Sequence, residues 1–83
     1  MKVTVKYFAS IREALGPGEV VELPAGSTIG ALRDRLIAAS SPHAEALARG
    51  RAVRAALDQA LCDENAVVPE NAEVAFFPPV TGG

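Results

Sequence analysis

Glu73-Val74-Ala75-Phe76-Phe77-Pro78-Pro79-Val80-Thr81-Gly82-Gly83 is the stretch that decides how the chain folds. Its first five residues predict a strand with Val74 and Phe76 on one face and Glu73, Ala75 and Phe77 on the other. Two prolines follow. They donate no backbone hydrogen bond and hold φ near one value, so they end the strand and push the chain outward, extended. Val80 and Thr81 are β-branched and favour extended backbone too. Gly82 and Gly83 carry no side chain and can pass a channel that would block any Cβ. The expected division is a domain over residues 1–77 and an extended tail over 78–83.

The group such a tail presents is the α-carboxylate of Gly83. A carboxylate is a poor electrophile at neutral pH because it is anionic and resonance-stabilised. Activated as an acyl-adenylate, it can be attacked with loss of AMP. Attack by sulfur leaves a thiocarboxylate. Attack by an enzyme thiol and then a lysine leaves a modified protein.

Strongly apolar content at the opposite end of the sequence supplies the partner for that last strand. Over residues 2–8, Val3, Val5 and Tyr7 alternate with Lys2, Thr4 and Lys6, which predicts a half-buried strand. Phe8 falls on the polar side of that alternation, as Phe77 does in the last strand. The first and last strands are expected to lie parallel and central. Phe8 and Phe77, with Leu61, then form an apolar patch on the open face of the sheet, a docking surface beside the tail.

Between these strands, Ser10 and Glu13 read as a capping box for a short helical turn carrying Ile11 and Leu15. Gly16-Pro17-Gly18 breaks it, and residues 19–23 form a second strand. Ser27 or Thr28 caps the main helix. Ile29, Leu32 and Leu36 form its inner stripe, with Arg33, Asp34 and Arg35 mostly outside. Ser41-Pro42 opens a short peripheral helix through Leu47 that Gly50 ends. Residues 53–57 and 60–62 are strands around a tight Asp58-Gln59 turn. The fold class is α+β, one mixed sheet with a main helix packed on one face.

Composition narrows the function. The 83 residues are enough for one small domain, with 49% hydrophobic and 22% charged residues and a net charge of −2. Scattered Lys and Arg give no stripe for nucleic acid and no basic patch for membrane. No apolar run approaches spanning length, and one cysteine, Cys62, suits a reducing compartment, so a cytoplasmic location is expected. The chain carries no catalytic constellation of its own. His43 is expected as a surface histidine and Cys62 as inert packing. No Cys–His cluster has metal-ligand spacing.

The ending Glu73 to Gly83 resembles that of the small, sulfur-carrier subunits of molybdopterin synthase. Val3-Thr4-Val5-Lys6-Tyr7-Phe8-Ala9, Ile11-Arg12-Glu13, the helix near Thr28 and Ala56-Leu57-Asp58-Gln59 are similar to the same family. Asp58 departs from it, standing where Asn is common. The resemblance implies a ubiquitin-like β-grasp fold. It implies that Gly83, with Gly82 before it, is adenylated by an activating enzyme using ATP and magnesium. A sulfur donor system then converts it to a thiocarboxylate. It further implies a heterotetramer of two small and two large synthase subunits, the tail inserted into the large subunit. There it gives sulfur to cyclic pyranopterin monophosphate to build the molybdopterin dithiolene. Phe8, Leu61, Phe77, Pro78, Pro79, Val80 and Thr81 are the implied partner-binding residues, with Arg12 as a polar contact. No cofactor is implied on this chain itself. A thiamine-type sulfur carrier or a ubiquitin-like protein modifier shares the Gly-Gly ending and stands as the alternative.

Overall fold

Alternation near the start of the chain becomes a strand because its odd-numbered side chains can leave water together. The computed structural model describes residues 1–79. In it, β1 (Lys2–Tyr7) buries Val3, Val5 and Tyr7 completely and leaves Lys2, Thr4 and Lys6 exposed. The strand stops one residue earlier than expected. Phe8 is instead the extended residue before α1 (Ala9–Leu15), and it caps that helix with no side-chain bond. The expected Ser10–Glu13 capping box is therefore absent: the helix starts before Ser10, which lies inside it. Ile11 still points inward and is buried.

β2 (Gly18–Glu22) returns antiparallel to β1. The main helix, α2 (Ile29–Ile37), begins where Thr28 Oγ1 accepts from the Ala31 N–H at 3.1 Å, a conventional N-cap. Ile29, Leu32 and Leu36 are buried as expected. Arg33 is not outside: only 4% of it is exposed. Position 33 lies four residues after Ile29, on the inner stripe itself, and its guanidinium is buried because it finds acceptors there.

A short helix, α3 (Ser41–Ala46), follows, with Ser40 rather than Ser41 as N-cap and Pro42 in the first turn. Its capping residue Leu47 is fully buried, so this Ala-rich segment closes the core rather than lying at its margin. β3 (Arg54–Leu57), β4 (Ala60–Cys62) and β5 (Glu73–Phe77) complete a five-stranded sheet of order β2-β1-β5-β3-β4. β5 runs parallel to β1, with Tyr7 beside Phe76, and antiparallel to β3, with Ala56 beside Ala75. The first and last strands are thus central, and Val74 and Phe76 of β5 are buried together with Val3, Val5, Leu32 and Leu36.

The loop from Leu47 to Arg51 and the loop around Glu64 are tied to α2 by charge. Arg33 Nε donates to the Leu47 carbonyl at 2.8 Å, and Nη2 to those of Ala48 at 2.6 Å and Arg51 at 3.2 Å. Nη1 donates to Glu64 Oε2 at 2.7 Å. These carbonyls lie at and beyond the end of α3, and that of Ala48 also accepts from the Arg51 N–H at 2.9 Å. Arg49 adds bonds to Asp34, to Glu64 and to the Gly30 carbonyl. Burial alone would raise the Glu64 carboxyl, but hydrogen bonds from Arg49 and Arg33 outweigh it and hold it below the usual range.

Candidate functional site

On the face of the sheet turned away from α2, register alone builds a groove. Ala56 of β3 sits between Ala75 of β5 and Leu61 of β4, and Lys6 of β1 lies beyond Ala75. Two alanines give this row a low floor. Around it stand Phe8, Leu61, Phe77 and Pro78, with Ala9 and Gln59 at the ends, enclosing about 640 Å³. Phe8 is 44% exposed and Leu61 66%, while Phe77 is half-buried. Large apolar side chains left this wet on one concave surface are characteristic of binding sites. An ion pair on its rim, Lys6 Nζ to Glu73 Oε2 at 3.3 Å, is half-exposed and worth at most about 1 kcal/mol.

Backbone geometry holds the walls of the groove. Phe8 donates its N–H to the Phe76 carbonyl at 3.2 Å, continuing the parallel ladder one step past β1. Ala9 then takes φ 52°, in the left-handed region, turning the chain sharply into α1. At the other end the Asp58-Gln59 turn carries φ 48° and 72°, the type I′ signature of a two-residue hairpin. Asp58 also fastens this turn to β5: its N–H donates to the Glu73 carbonyl at 2.8 Å and its Oδ1 accepts from the Glu73 N–H at 2.9 Å. A carboxylate thus does the local work expected of Asn at this position. Of the four non-glycine residues with positive φ among the described residues, three flank this groove. Nothing in the sequence marked Ala9 for positive φ, whereas Gln59 lies in the tight turn expected there.

Phe8, Leu61, Phe77 and Pro78 are therefore brought together. Pro79 is half-buried directly after them. Arg12 lies exposed on α1 and does not line the groove. Val80, Thr81, Gly82 and Gly83, and with them most of the expected tail, lie outside the described residues.

The remaining reactive side chains sit elsewhere. Cys62 is half-buried, and burial, followed by the neighbouring Asp63 charge, raises its thiol above the ordinary value, which keeps it protonated. His43 is not the unpartnered surface residue expected. Its Nδ1 lies 2.6 Å from Ser40 Oγ and its Nε2 2.6 Å from Glu19 Oε2, which also accepts from the Tyr7 hydroxyl at 2.7 Å. Burial followed by the Glu19 hydrogen bond pushes the Tyr7 hydroxyl far up. This cluster joins β1, β2 and α3 under the covered face, away from the groove. Sequence reasoning missed it because Glu19 and His43 are distant along the chain. Among the described residues no group of three or more His, Cys, Asp or Glu is arranged to hold a metal. Nor is any described helix long and apolar enough to cross a membrane.

The model of the ThiS family matches residues 5–83. The molybdopterin synthase sulfur carrier subunit of Escherichia coli (strain K12) is 38% identical over 81 residues, covering 98% of this chain and 99% of that one. SAMP1 from Haloferax volcanii has a crystal structure that matches with a TM-score of 0.78 at 24% identity over all of both chains. That likeness bears on fold and agrees with the ubiquitin-like β-grasp expected from the sequence. A solved protein–protein complex of subunits 1 and 2 of the molybdopterin-converting factor from Helicobacter pylori 26695 contains a chain matching with a TM-score of 0.70 at 25% identity, again over all of both chains.

Proposed function

This chain belongs to the ThiS family, and from that premise we propose that it is a sulfur carrier of molybdenum cofactor biosynthesis, the small subunit of a molybdopterin synthase. The observation that carries this reading is the apolar groove of Phe8, Leu61 and Phe77, set beside Pro78, where the chain leaves the sheet toward its Gly-Gly ending. A relative with a name of that kind covers nearly the whole chain, and a related complex pairs such a subunit with a second one.

In the proposed cycle the Gly83 carboxylate attacks the α-phosphorus of ATP on an activating enzyme that uses magnesium. Pyrophosphate leaves and an acyl-adenylate forms. A sulfur donor system then displaces AMP, and the C–O bond to phosphate is exchanged for C–S, giving a thiocarboxylate. The large synthase subunit seats the groove and receives the tail. Pro78, Pro79, Val80 and Thr81 extend toward its active site, and Gly82 admits the narrow approach. Sulfur passes there to cyclic pyranopterin monophosphate, and Gly83 returns as a carboxylate with oxygen from water. Two small and two large subunits form the assembly, and two transfers complete one dithiolene. The acid, base and electrostatic help belong to the partners, and this chain binds no cofactor.

The test is intact mass of the untagged chain after incubation with a matching activating enzyme, ATP and a sulfide source. The expected result is a mass gain equal to one oxygen replaced by sulfur, lost when Gly83 is deleted. No gain with an activating enzyme that charges another carrier, or a gain that survives the deletion, overturns the proposal.

A further inference from the structure

At the margin of the sheet farthest from the groove, β2 pairs with β1 alone. The direction of its backbone groups follows from its neighbours. Met1 N donates to the Leu23 carbonyl at 2.7 Å and Leu23 N to that of Met1 at 2.8 Å. Bonded and non-bonded pairs alternate along an antiparallel ladder. Val3–Val21 and Val5–Glu19 are therefore bonded pairs, while Lys2–Glu22, Thr4–Val20 and Lys6–Gly18 are not. Tyr7 keeps the alternation by donating to the Pro17 carbonyl at 3.1 Å, and Thr4 by turning its N–H away to the Ala72 carbonyl at 3.2 Å. Gly18, Val20 and Glu22 thus aim their N–H and C=O groups out of the free edge. Proteins commonly blunt such an edge with lysine, proline or very short length. β2 is five residues long with none of these, and Val20 at its centre is 63% exposed. The other edge, β4, has three residues and carries Leu61 of the groove.

We propose that β2 pairs antiparallel with β2 of a second copy of this chain, about a twofold axis through Val20. In that register Val20 faces Val20, Gly18 faces Glu22, and Glu19 faces Val21. It engages the whole strand, pairs every outward N–H and C=O of Gly18, Val20 and Glu22, and sets no two like charges opposite each other. Registers centred on Glu19 or Glu22 would place carboxylates face to face. Charge complementarity supports the same choice. Glu22 stands beside Lys2 of its own chain, and next across the new seam come the second copy's Gly18 and then its Lys6. Gly18 puts no side chain between Glu22 and that lysine. The gap is fixed, because a Cβ at Gly18 would meet the Val5 carbonyl oxygen at 2.3 Å. The axis is perpendicular to the sheet, so both grooves stay open on one side, at the two far ends of a continuous sheet. The inference does not depend on the proposed sulfur chemistry.

Sedimentation equilibrium of the full chain tests it, from about 10 μM to about 1 mM, the range suited to a small and weak interface. A monomer–dimer equilibrium is expected, weakened at least about tenfold by Val20→Pro and by Val20→Lys. Proline removes the outward N–H at the axis, and no bond among the described residues uses that N–H. Lysine keeps the N–H but sets two cations side by side, and an exposed position tolerates it. Hydrogen exchange adds a second measurement: the Val20 and Glu22 amides should exchange more slowly as concentration rises. A chain that stays monomeric throughout overturns the proposal. So does a dimer that both variants leave intact, or one lost instead on Leu61→Glu, which would place self-association in the groove.

Discussion

Adjacent residues of β5 show how differently the two faces of the sheet are built. Phe76 faces α2 and is 1% exposed, packed among Tyr7, Val74 and the helix side chains. Phe77, one residue on, faces the groove and is half-buried. The covered face has aliphatic residues interlocked with a buried guanidinium and a Tyr–Glu–His cluster. The open face has a floor of alanines, a few large side chains around one groove and a weak ion pair. The core face holds the fold together, whereas the apolar side chains of the open face stay partly exposed and contribute little to it.

Truncating each phenylalanine is the most direct way to break that contrast. Phe76→Ala should cost about 3–5 kcal/mol of stability, because it removes a fully buried ring and leaves a cavity. Phe77→Ala should cost under about 1 kcal/mol yet weaken association with a large synthase subunit by about tenfold or more, as interface aromatics do. Urea denaturation gives the first quantity and titration calorimetry the second. Equal stability losses from the two variants would mean that the faces do not divide as described.

Much of this division was legible in the sequence. Alternation over Lys2 to Tyr7 and the parity of Val74 and Phe76 fixed the core face, and the off-parity positions of Phe8 and Phe77 exposed the groove. What stayed hidden depended on contacts distant along the chain. Arg33 has the spacing of an inner residue, but its charge argued for solvent; only the folded chain brings the carbonyls of Leu47, Ala48 and Arg51 to it. His43 finds Glu19 on another element by the same route. Ser10 misled for a local reason, since the left-handed Ala9 begins the helix two positions earlier than capping by Ser10 would.

Arg33 sharpens the comparison from the polar side of the core. Arg33→Ala leaves the buried Leu47 carbonyl without its side-chain donor, takes a bond each from the partly buried carbonyls of Ala48 and Arg51, and removes one of the two cations on Glu64. A loss of about 2–3 kcal/mol is expected by urea denaturation, with Arg33→Lys recovering only part of it because an ammonium cannot reproduce the planar fork. The Glu64 carboxyl is held low in the folded chain, so its share of stability is present above the ordinary carboxylate range and is lost as pH falls through the depressed value. The variant should therefore show a shallower decline of stability in acid. A full rescue by lysine would mean that charge alone, rather than the bonds to carbonyls, keeps Arg33 inside.

The smallest effect expected is a gain, and it lies on the open face. Gln59 holds φ 72° at the second central position of a two-residue hairpin, where a Cβ is unfavourable and glycine is the preferred residue. Gln59→Gly should raise stability by about 0.5 kcal/mol, the relief of left-handed strain slightly exceeding the entropy that glycine adds to the unfolded chain. Asp58 keeps its bonds to Glu73 through this change, so the groove should hold its shape and the affinity for a large subunit should stay within about twofold. Thermal denaturation with the binding titration separates two accounts of the turn. A more stable variant with unchanged binding means that Gln59 carries strain unrelated to docking. A more stable variant that binds several-fold worse means that its side chain, on the rim beside Leu61, contacts the partner, which would make the open face a site where stability has been traded for recognition.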